Sequence, residues 1–590
     1  MSSYFKWTER ARNMQRERAI CKNGANQFLS RLMAMRDVDI DGASKFLKSE
    51  YSQLSTPSKD HWLYGCMNAA KLIQKYNGSG ATVLIVGDYD ADGILSSVML
   101  DRIFYEVGCE TEVFIPSRFD HGYGLNERTV NAIRERLSSY GKSPSLLVTT
   151  DCGTNSIDEI LSTKELGVKD VIVIDHHIPE ENLALGKLHD AFDHYCLVNW
   201  HYSKDDFKET CACGQVFHLV RALRSFGVKL DQLEYICYAA IGIIADSSPV
   251  LDDNRIIVRN GLSPKAVNSV TSAGLHALLE VSKVNPDLTT QDDVSFYVAP
   301  RINAPGRMGN ADLAFRLFTS HDYAVAKDIA LTLDKLNTER KEEQKRIELL
   351  AETIANGIKF SHGIVVSDNK WSTGIVGIVA QKLVERYNVP CLVVGCHNGV
   401  YKGSGRTVHG MNLKEIMDDC RDLFSSYGGH KYAAGFTVAE GKLGMMQEKF
   451  NAACKRYRDA KGMESETPRF YDGSLKAKAI TEKTAKMLFE LAPYCNIHNP
   501  EPIFKLEKVI ISNIKIIEFN SGARLATFSC LKKGKYVEPK FKMFSPPFDE
   551  SDDSKRADVY FSFPQSWIEN DDPYNYNKFD MKVIAINIEE

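Results

Sequence analysis

The sequence predicts an α/β fold with a central parallel sheet, a long connecting helix and a small C-terminal β domain. In ATVLIVGDYDADG at 81–93, a β-branched apolar run is followed by three aspartates at alternate positions. Next come a segment with helical apolar spacing and the strand-like TEVFIP, so the whole is a βαβ unit. The span 323–357 is rich in Leu, Ile, Lys and Glu at helical spacing, without Pro or interior Gly. Beyond about residue 462, runs such as FKLEKVIISNIKIIEF and MKVIAINI are strand-like.

Length and composition are typical of a folded multidomain protein. The chain has 590 residues, and because domains hold roughly 100 to 200 residues, we expect three or four of them. Hydrophobic residues at 44% and charged residues at 25% exclude a disordered scaffold. The N-terminal residues lack an apolar signal core, and the apolar stretch Tyr235–Ala245 is shorter than the roughly 20 residues that span a bilayer. We therefore expect a cytoplasmic protein with no membrane partner.

Cysteine usage and net charge argue against two further classes. The 14 cysteines are scattered, which favours reduced thiols over a disulfide framework. Cys211 and Cys213 form a C-x-C pair without a second pair, a weak signal for zinc. The net charge of −4 gives no indication of nucleic-acid binding by the chain as a whole, so any such surface must be local.

Acidic and histidine side chains follow four apolar runs. These runs precede GDYDADG, DCGTNS and DHHIP, and the fourth is 235–245. The residues concerned are Asp88, Asp90, Asp92, Asp151, Asp175, His176, His177 and Asp246. Because ligands of an open parallel sheet bind beyond the carboxyl ends of its strands, we expect these side chains to meet in one crevice.

So many carboxylates in one crevice would repel each other unless cations neutralise them. Mixed Asp and His ligands suit a borderline divalent ion such as manganese, whereas an all-oxygen shell would favour magnesium or calcium. We expect two Mn²⁺ ions, with Mg²⁺ as the alternative.

Each motif also has a simpler interpretation. Asp88 to Gly93 matches the opening of an EF-hand loop, but the twelfth position is Met99 and a strand precedes the loop. Asp151 and Asp246 alone would usually be turn or cap residues. His176 and His177 could be one core and one surface histidine, since neighbours on a strand point in opposite directions. The conjunction of all four motifs favours a single site.

Four short motifs resemble the first four motifs of the DHH phosphoesterases. In chain order they are DYDADG, TTDCGT, IDHHIP and GIIADSSP. APRINAPGRMGNADLA is similar to a segment of the branch of that family that digests single-stranded DNA. Three later segments resemble the accessory DHHA1 domain: WSTGIVGIVAQKLVERYNVPCLVV, GSGRTVHGMNL and YGGHKYAAGFTV. The resemblance implies a parallel-sheet DHH catalytic domain, a long helix, an α/β DHHA1 domain and a C-terminal OB-like β-barrel.

The predicted boundaries follow from these patterns and from the resemblance. They are an N-terminal helical region at 1–80, the DHH domain at 81–322, the connecting helix at 323–357, the DHHA1 domain at 358–461 and the OB-like domain at 462–590. In the last of these, a basic hairpin either combines phosphate attraction with base stacking or is an ordinary basic surface. Its residues are Lys532, Lys533, Lys535, Lys540, Lys542, Tyr536, Phe541 and Phe544.

The resemblance also implies roles for individual residues. The metal ligands or their immediate supports are Asp88, Asp90, Asp92, Asp151, His176 and Asp246. His177 completes the metal shell or contacts the scissile phosphate, and Asp175 is a candidate for orienting an imidazole.

Other residues are expected to hold the substrate. Arg301 and Arg307 suit in-line positioning of a phosphate, with Asn303 on a phosphate or sugar oxygen. Gly306 and Gly309 either permit close backbone approach or form plain turns. By resemblance, the end of the strand is gripped by Ser404, Gly405, Arg406, Gly428, Gly429 and His430.

The function implied is a two-metal exonuclease that digests single-stranded DNA from 5′ to 3′ into 5′-mononucleotides, in DNA repair or recombination. A helicase and a single-strand-binding protein are the expected partners. The alternatives are a DHH enzyme that acts on RNA or short oligonucleotides, and a catalytically silent scaffold of the replication machinery. The intact metal motifs argue against the scaffold.

Overall fold

The computed structural model describes residues 7–57, 62–203, 209–358, 362–408, 410–429, 431–463, 469–495, 499–519, 524–544, 546–563 and 581–588. The chain forms two compact units. One comprises Met1–Thr8 with Lys335–Arg469, and the other comprises Glu9–Asp334 with Phe470–Glu590. None of the helices among the described residues is long and apolar enough to cross a bilayer.

The larger unit begins with short elements that serve two different hydrophobic cores. They are α1 (Met14–Lys22), α2 (Gln27–Ala34), α3 (Ala43–Lys48) and α4 (Leu63–Lys75). The strand β1 (Trp7–Glu9) precedes them and crosses the boundary between the units. Buried side chains of α1 to α3, such as Ile20 and Leu29, belong to the core of the C-terminal barrel. Those of α4, such as Leu63, belong to the core beneath the parallel sheet. The predicted N-terminal region 1–80 is therefore divided between these two cores.

A five-stranded parallel sheet forms the centre of the larger unit. Its elements are β2 (Thr82–Val86), α5 (Ala91–Glu106), β3 (Glu110–Phe114), α6 (Glu127–Tyr140), β4 (Leu146–Thr150), α7 (Ile157–Ser162), β5 (Asp170–Ile174), α8 (Leu185–Ala191) and β6 (His194–Val198). The strand order is β3-β2-β4-β5-β6, and all pairs are parallel. Two hydrophobic cores take residues from alternate positions of β2, β4 and β5, which explains the unbroken apolar runs of these strands. The order reverses between β2 and β4, and this is where ligands of such sheets bind.

Helices follow the sheet. They are α9 (Ala212–Ser225), α10 (Gln232–Ala245), α11 (Asp252–Gly261), α12 (Pro264–Val267), α13 (Ala273–Ser282), α14 (Gln291–Asp293), a π-helix (Val294–Val298), α15 (Ala299–Met308), α16 (Asp312–Thr319) and α17 (Tyr323–Gly357). The run 235–245 is thus the body of α10, and the expectation that Asp246 follows a strand is wrong. Because α10 is buried on nearly every side, it lacks the polar residues that would reveal a helical period.

The smaller unit contains a second α/β arrangement. Its elements are β7 (Ile364–Ser367), α18 (Val376–Tyr387), β8 (Cys391–His397), β9 (Val400–Arg406), α19 (Leu413–Asp418), β10 (Phe424–Gly429), β11 (Ala433–Val438) and α20 (Met446–Lys461). The strand order is β10-β11-β9-β8-β7, with β7 parallel to β8 and the other pairs antiparallel. The core of this sheet includes the fully buried Trp371.

A closed barrel ends the chain. After β12 (Arg469–Tyr471) and α21 (Glu482–Phe489) come its strands β13 (Phe504–Glu518), β14 (Arg524–Lys532), β15 (Lys535–Phe544), β16 (Arg556–Ser562) and β17 (Met581–Ile588). They close in the order β13-β14-β15-β17-β16, which is consistent with an OB-like domain and confirms the predicted fold class. Phe541, one of the aromatic residues of the basic hairpin, lies in the barrel core and cannot stack on bases, because alternate residues of β15 point inward. Tyr536 and Phe544 are exposed.

Candidate metal centre

The loop after β2 carries the aspartates of DYDADG. It leads into α5, whose N-terminus is capped by Asp90: its Oδ1 atom accepts hydrogen bonds from the backbone N–H groups of Asp92 (2.9 Å) and Gly93 (3.2 Å). A Cβ atom on Gly93 would lie 2.5 Å from the backbone nitrogen of Asp88, so glycine is required for this approach of helix to loop. The loop thus holds Asp88 and Asp90 at the carboxyl edge of the sheet.

Asp88 has the environment of a metal ligand. Its side chain is buried, and its Oδ1 atom has no hydrogen-bond partner among the described residues. Burial and then the charge of Asp90 raise the pKa of Asp88 to about 8, and the Arg118 guanidinium partly opposes this rise. A buried carboxylate oxygen without a donor is costly in a protein interior, and a divalent cation would satisfy it.

Asp151 stands at the end of β4, across the switch point from Asp88. Its backbone has a φ of 59°, in the left-handed region, and its N–H donates to the carbonyl oxygen of Ile174 (3.0 Å). Its Oδ1 atom lies 3.1 Å from Nε2 of His176. Burial raises the pKa of Asp151 well above its ordinary value, and the neighbouring carboxylates raise it further.

The histidines after β5 are held by Asp175. Its Oδ1 atom accepts from the backbone N–H of His176 (2.8 Å) and lies 2.7 Å from Nδ1 of His177. Its Oδ2 atom accepts from the backbone N–H of Thr154 (2.9 Å). Burial alone would raise the pKa of Asp175, but the His177 hydrogen bond and the charges of both histidines outweigh burial and lower it. Asp175 therefore contacts the His177 ring at Nδ1 and accepts from backbone N–H groups through both carboxylate oxygens.

Two groups of side chains can each hold a divalent ion. Ligand atoms of Asp88, Asp90 and Asp151 all lie within 4.8 Å of one another, and so do those of Asp151, His176 and His177. Asp151 belongs to both groups. The oxygen-only group and the mixed oxygen and nitrogen group would each suit a divalent ion.

Asp92 and Asp246 lie beside these groups but in neither of them. Both carboxylate oxygens of Asp92 accept backbone N–H groups at the start of α9, from Ala212 and Cys213 (2.8 Å each), a favourable place for a negative charge. Asp246 caps the C-terminus of α10 and accepts from the Ser248 hydroxyl (2.6 Å). Its charge acts on both Asp92 and His176.

Helix α15, from the PRINAPGRM segment, packs against the DYDADG loop. The Oδ1 atom of Asn303 accepts from the backbone N–H of Ala91 (2.7 Å). A Cβ atom on Gly306 would lie 2.6 Å from the carbonyl oxygen of Tyr89. Gly306 thus allows close backbone approach to the loop, while Gly309, with a φ of 102°, ends the helix.

The two predicted phosphate-positioning arginines differ in their surroundings. Arg301 forms an ion pair with Asp334, with Nη2 and Oδ1 2.6 Å apart, and its Nη1 atom donates to the carbonyl oxygen of Tyr297 (2.7 Å). Arg307 acts electrostatically on Tyr89. Burial and the charge of Asp88 raise the pKa of this tyrosine, and the positive charges of Arg118 and Arg307 oppose that rise. The charge of Arg307 thus reaches Tyr89 of the metal loop, whereas the Arg301 guanidinium bonds to Asp334 and Tyr297.

The predicted end-gripping residues of the smaller unit lie on strands that flank β11. In register, Gly435 pairs with Ser404 and with Gly428, and Ala434 pairs with Gly405 and with Gly429. The Nη1 atom of Arg406 donates to the Ser404 hydroxyl (2.8 Å) and to the Gly405 carbonyl oxygen (2.7 Å). His430 lies outside the described residues.

Sequence reasoning missed two side chains of the loop after β3. The Arg118 guanidinium lies over the Tyr89 ring, 4.3 Å from its centroid. The Tyr123 hydroxyl donates to the carbonyl oxygen of Asp151 (2.8 Å) and lies 3.1 Å from the His177 ring nitrogens. The loop follows β3, the neighbour of β2, which was a sequence signal for the loop but not for these two residues several positions beyond the strand end.

Comparison with known proteins identifies the family. The model of the DHH family, N-terminal domain, matches residues 82–243, and the DHHA1 domain matches residues 359–459. A solved structure of exonuclease RecJ bound to manganese is 30% identical, covering 68% of this chain and 96% of that chain, with a TM-score of 0.56. The chain belongs to the RecJ family. This confirms the resemblance to the DHH phosphoesterases.

Two further members of the RecJ family are similar over most of the chain. The single-stranded-DNA-specific exonuclease RecJ of Bacillus subtilis is 32% identical over 498 residues, which are 84% of this chain and 60% of that protein. The structure of Thermus thermophilus RecJ in complex with Mn²⁺ has a TM-score of 0.78 at 23% identity and covers 100% of this chain and 80% of the other.

The raised pKa values of the carboxyl groups make the stability of the metal-free protein pH-dependent. Asp88, Asp92 and Asp151 have raised pKa values, that of Asp88 reaching about 8, chiefly through burial. The folded protein therefore binds more protons than the unfolded chain, whose aspartates titrate at about pH 4, and stability falls as pH rises from about 4 to about 8. With a chelator present, we expect the melting temperature to fall across this range. Added Mn²⁺ should reverse the loss, because it binds the deprotonated carboxylates.

The control for this prediction is Asp88→Asn, which removes one of the titrating groups. Its melting temperature in chelator should fall less steeply with pH than that of the wild type. Equal slopes for the two proteins would contradict the assignment of the titration to this cluster.

Proposed function

We propose that this protein is a metal-dependent exonuclease that hydrolyses single-stranded DNA, from 5′ to 3′, with release of 5′-mononucleotides. The observation that carries the proposal is the pair of ligand groups that share Asp151 at the switch point of the sheet. Membership of the RecJ family supports the substrate, since curated relatives are named single-stranded-DNA-specific exonucleases. Polarity and a role in DNA repair or recombination follow the same family analogy.

The two ligand groups would hold Mn²⁺, with Mg²⁺ as the alternative. The first group is Asp88, Asp90 and Asp151, and the second is Asp151, His176 and His177. When bound, such a pair of ions supplies hydroxide near neutral pH and stabilises charge on the attacking and leaving oxygens. Asp92 and Asp246 act as supports: Asp92 anchors the start of α9, and Asp246 adds negative charge beside His176.

The remaining residues of the centre orient the reacting groups. Asp175 holds the His177 ring at 2.7 Å from Nδ1, and the Tyr123 hydroxyl lies 3.1 Å from both nitrogens of that ring. The Arg118 guanidinium lies over the Tyr89 ring beside the loop, and the charge of Arg307 acts on the same tyrosine. We assign both arginines as planar donors to a phosphate. Arg301 belongs to the same proposal by family resemblance alone, since its guanidinium forms an ion pair with Asp334.

The smaller unit would bind the end of the DNA strand. The hydroxyl of Ser404 and the guanidinium of Arg406 suit a terminal phosphate. Gly405, Gly428, Gly429 and His430 belong to the same proposal by family analogy. We further propose that the enzyme works in the cytoplasm behind a helicase and contacts a single-strand-binding protein.

Digestion of end-labelled nucleic acids tests this function. We expect single-stranded DNA to be shortened from its 5′ end with Mn²⁺ or Mg²⁺, chelator to stop the reaction, and duplex DNA to resist. Activity confined to RNA would move the substrate to a different nucleic acid, because the 2′-hydroxyl would then be required. No hydrolysis with either metal would overturn the enzyme assignment in favour of a silent scaffold.

A further inference from the structure

A buried asparagine side chain joins two of the loops that carry the metal-binding motifs. Asn199 directly follows β6, the edge strand beside β5, and is 2% exposed. Its Nδ2 atom donates to the Thr154 hydroxyl (3.0 Å), in the loop after β4, and to the carbonyl oxygen of His177 (2.9 Å), in the loop after β5. Its Oδ1 atom accepts from the backbone N–H of His201 (3.0 Å), which fixes the orientation of the amide.

A glutamine holds the other end of the same histidine segment. Gln215 lies in the first turn of α9 and is fully buried, and its Nε2 atom donates to the carbonyl oxygen of Asp175 (2.9 Å). Asp175 and His177 are thus bonded through their backbone carbonyl oxygens to side chains from two different elements, α9 and the end of β6. A segment fixed at both ends in this way has little freedom to move its side chains relative to the neighbouring strand ends.

We infer that Asn199 and Gln215 are positioning residues for the second ligand group, the one that contains both histidines. This inference rests on the metal binding of the proposed function and adds to it two residues outside the ligand groups. The second group consists of Asp151, His176 and His177, whose ligand atoms lie within 4.8 Å of one another. A metal ion tolerates deviations of only about 0.2 Å in its ligand distances, so the hydrogen bonds that support the ligands decide its affinity.

The first ligand group depends on different contacts. Asp90 caps α5 by accepting from backbone N–H groups, and Asn303 bonds to the backbone N–H of Ala91 in the same loop. Neither contact involves Asn199 or Gln215. Removal of either of these two amides should therefore weaken the binding of the second ion and leave the binding of the first unchanged.

Isothermal titration of the metal-free protein with Mn²⁺ tests the inference without any need for hydrolysis. Asn199→Leu keeps the shape of the side chain and removes both donor hydrogens. In this variant we expect one Mn²⁺ to bind with wild-type affinity and the other to bind roughly 10- to 100-fold more weakly. Gln215→Met, a change of similar length on another element, should have the same effect. Hydrolysis should recover toward the wild-type rate at high Mn²⁺ concentration, because the ligands themselves remain.

Asn499→Leu is the matched control, which separates positioning from a structural effect. Asn499 is also fully buried, and its Nδ2 atom donates to the backbone carbonyl oxygens of Leu491 (2.7 Å) and Pro493 (2.9 Å). This variant should lower the melting temperature about as much as Asn199→Leu does, because each loses two buried hydrogen bonds. Both of its Mn²⁺ affinities should equal those of the wild type.

The outcomes distinguish the inference from the proposed function. Wild-type Mn²⁺ affinity at both sites in folded Asn199→Leu or Gln215→Met, or equal weakening at both sites, would overturn the role of that residue. If the wild type binds two Mn²⁺ ions and hydrolyses nothing, the proposed function fails while the titration still decides the inference. A wild type that binds no Mn²⁺ would overturn both.

Discussion

Asp151→Asn is expected to reduce hydrolysis of single-stranded DNA at least roughly a thousandfold, which corresponds to about 4 kcal/mol of lost transition-state stabilisation. The reason is that Asp151 is the one residue that belongs to both ligand groups, so that its loss weakens the binding of both ions. The measurement is the initial rate of nucleotide release with saturating Mn²⁺. Isothermal titration with Mn²⁺ should show weaker binding in parallel.

The matched control is Asp158→Asn, the same change at an exposed aspartate in the first turn of α7, which should retain full activity. The metal-free Asp151→Asn protein should melt at a higher temperature than the wild type above neutral pH, because the substitution removes a buried carboxyl group that repels its neighbours. An inactive variant that also melts early would indicate misfolding. An active variant would remove Asp151 from the centre.

Arg255→Ala is expected to destabilise the larger unit by about 3–5 kcal/mol. The Arg255 side chain is fully buried and donates hydrogen bonds to five backbone carbonyl oxygens at 2.7–3.0 Å. The accepting residues are Phe46, Glu490, Leu491, Ala492 and Pro493. Removal of the guanidinium leaves these buried acceptors without their donor, and it also removes the contact of the cation with the Phe46 ring.

The measurement is the urea midpoint of unfolding followed by circular dichroism. Arg136→Ala, at an exposed arginine of α6, is the control and should change the free energy of unfolding by less than about 0.5 kcal/mol. Arg255→Lys should recover little, because an ammonium group cannot reach five acceptors. If Arg255→Ala unfolds like the wild type, the carbonyl cluster does not anchor the C-terminal segment to α11.

Much of the candidate centre was predictable from local sequence. Asp88, Asp151 and His176 follow strands, and the carboxyl ends of parallel strands meet at one edge, so their convergence follows from topology. Asp246 was harder, because α10 is buried on nearly every side and has no polar face to mark it as a helix. Arg118 and Tyr123 were missed because they lie several residues beyond a strand end, in a loop whose path depends on its neighbours.

The sequence by itself determined the parallel sheet, the βαβ order and the identity of the acidic cluster, because strand and helix periods and the residues at strand ends are local properties. Only the tertiary structure decided that Asp92 bonds to the start of α9 and that α1 to α3 complete the barrel core. These outcomes depend on contacts between residues far apart in the chain. Packing and hydrogen bonding across such distances leave no periodic signal in either partner segment.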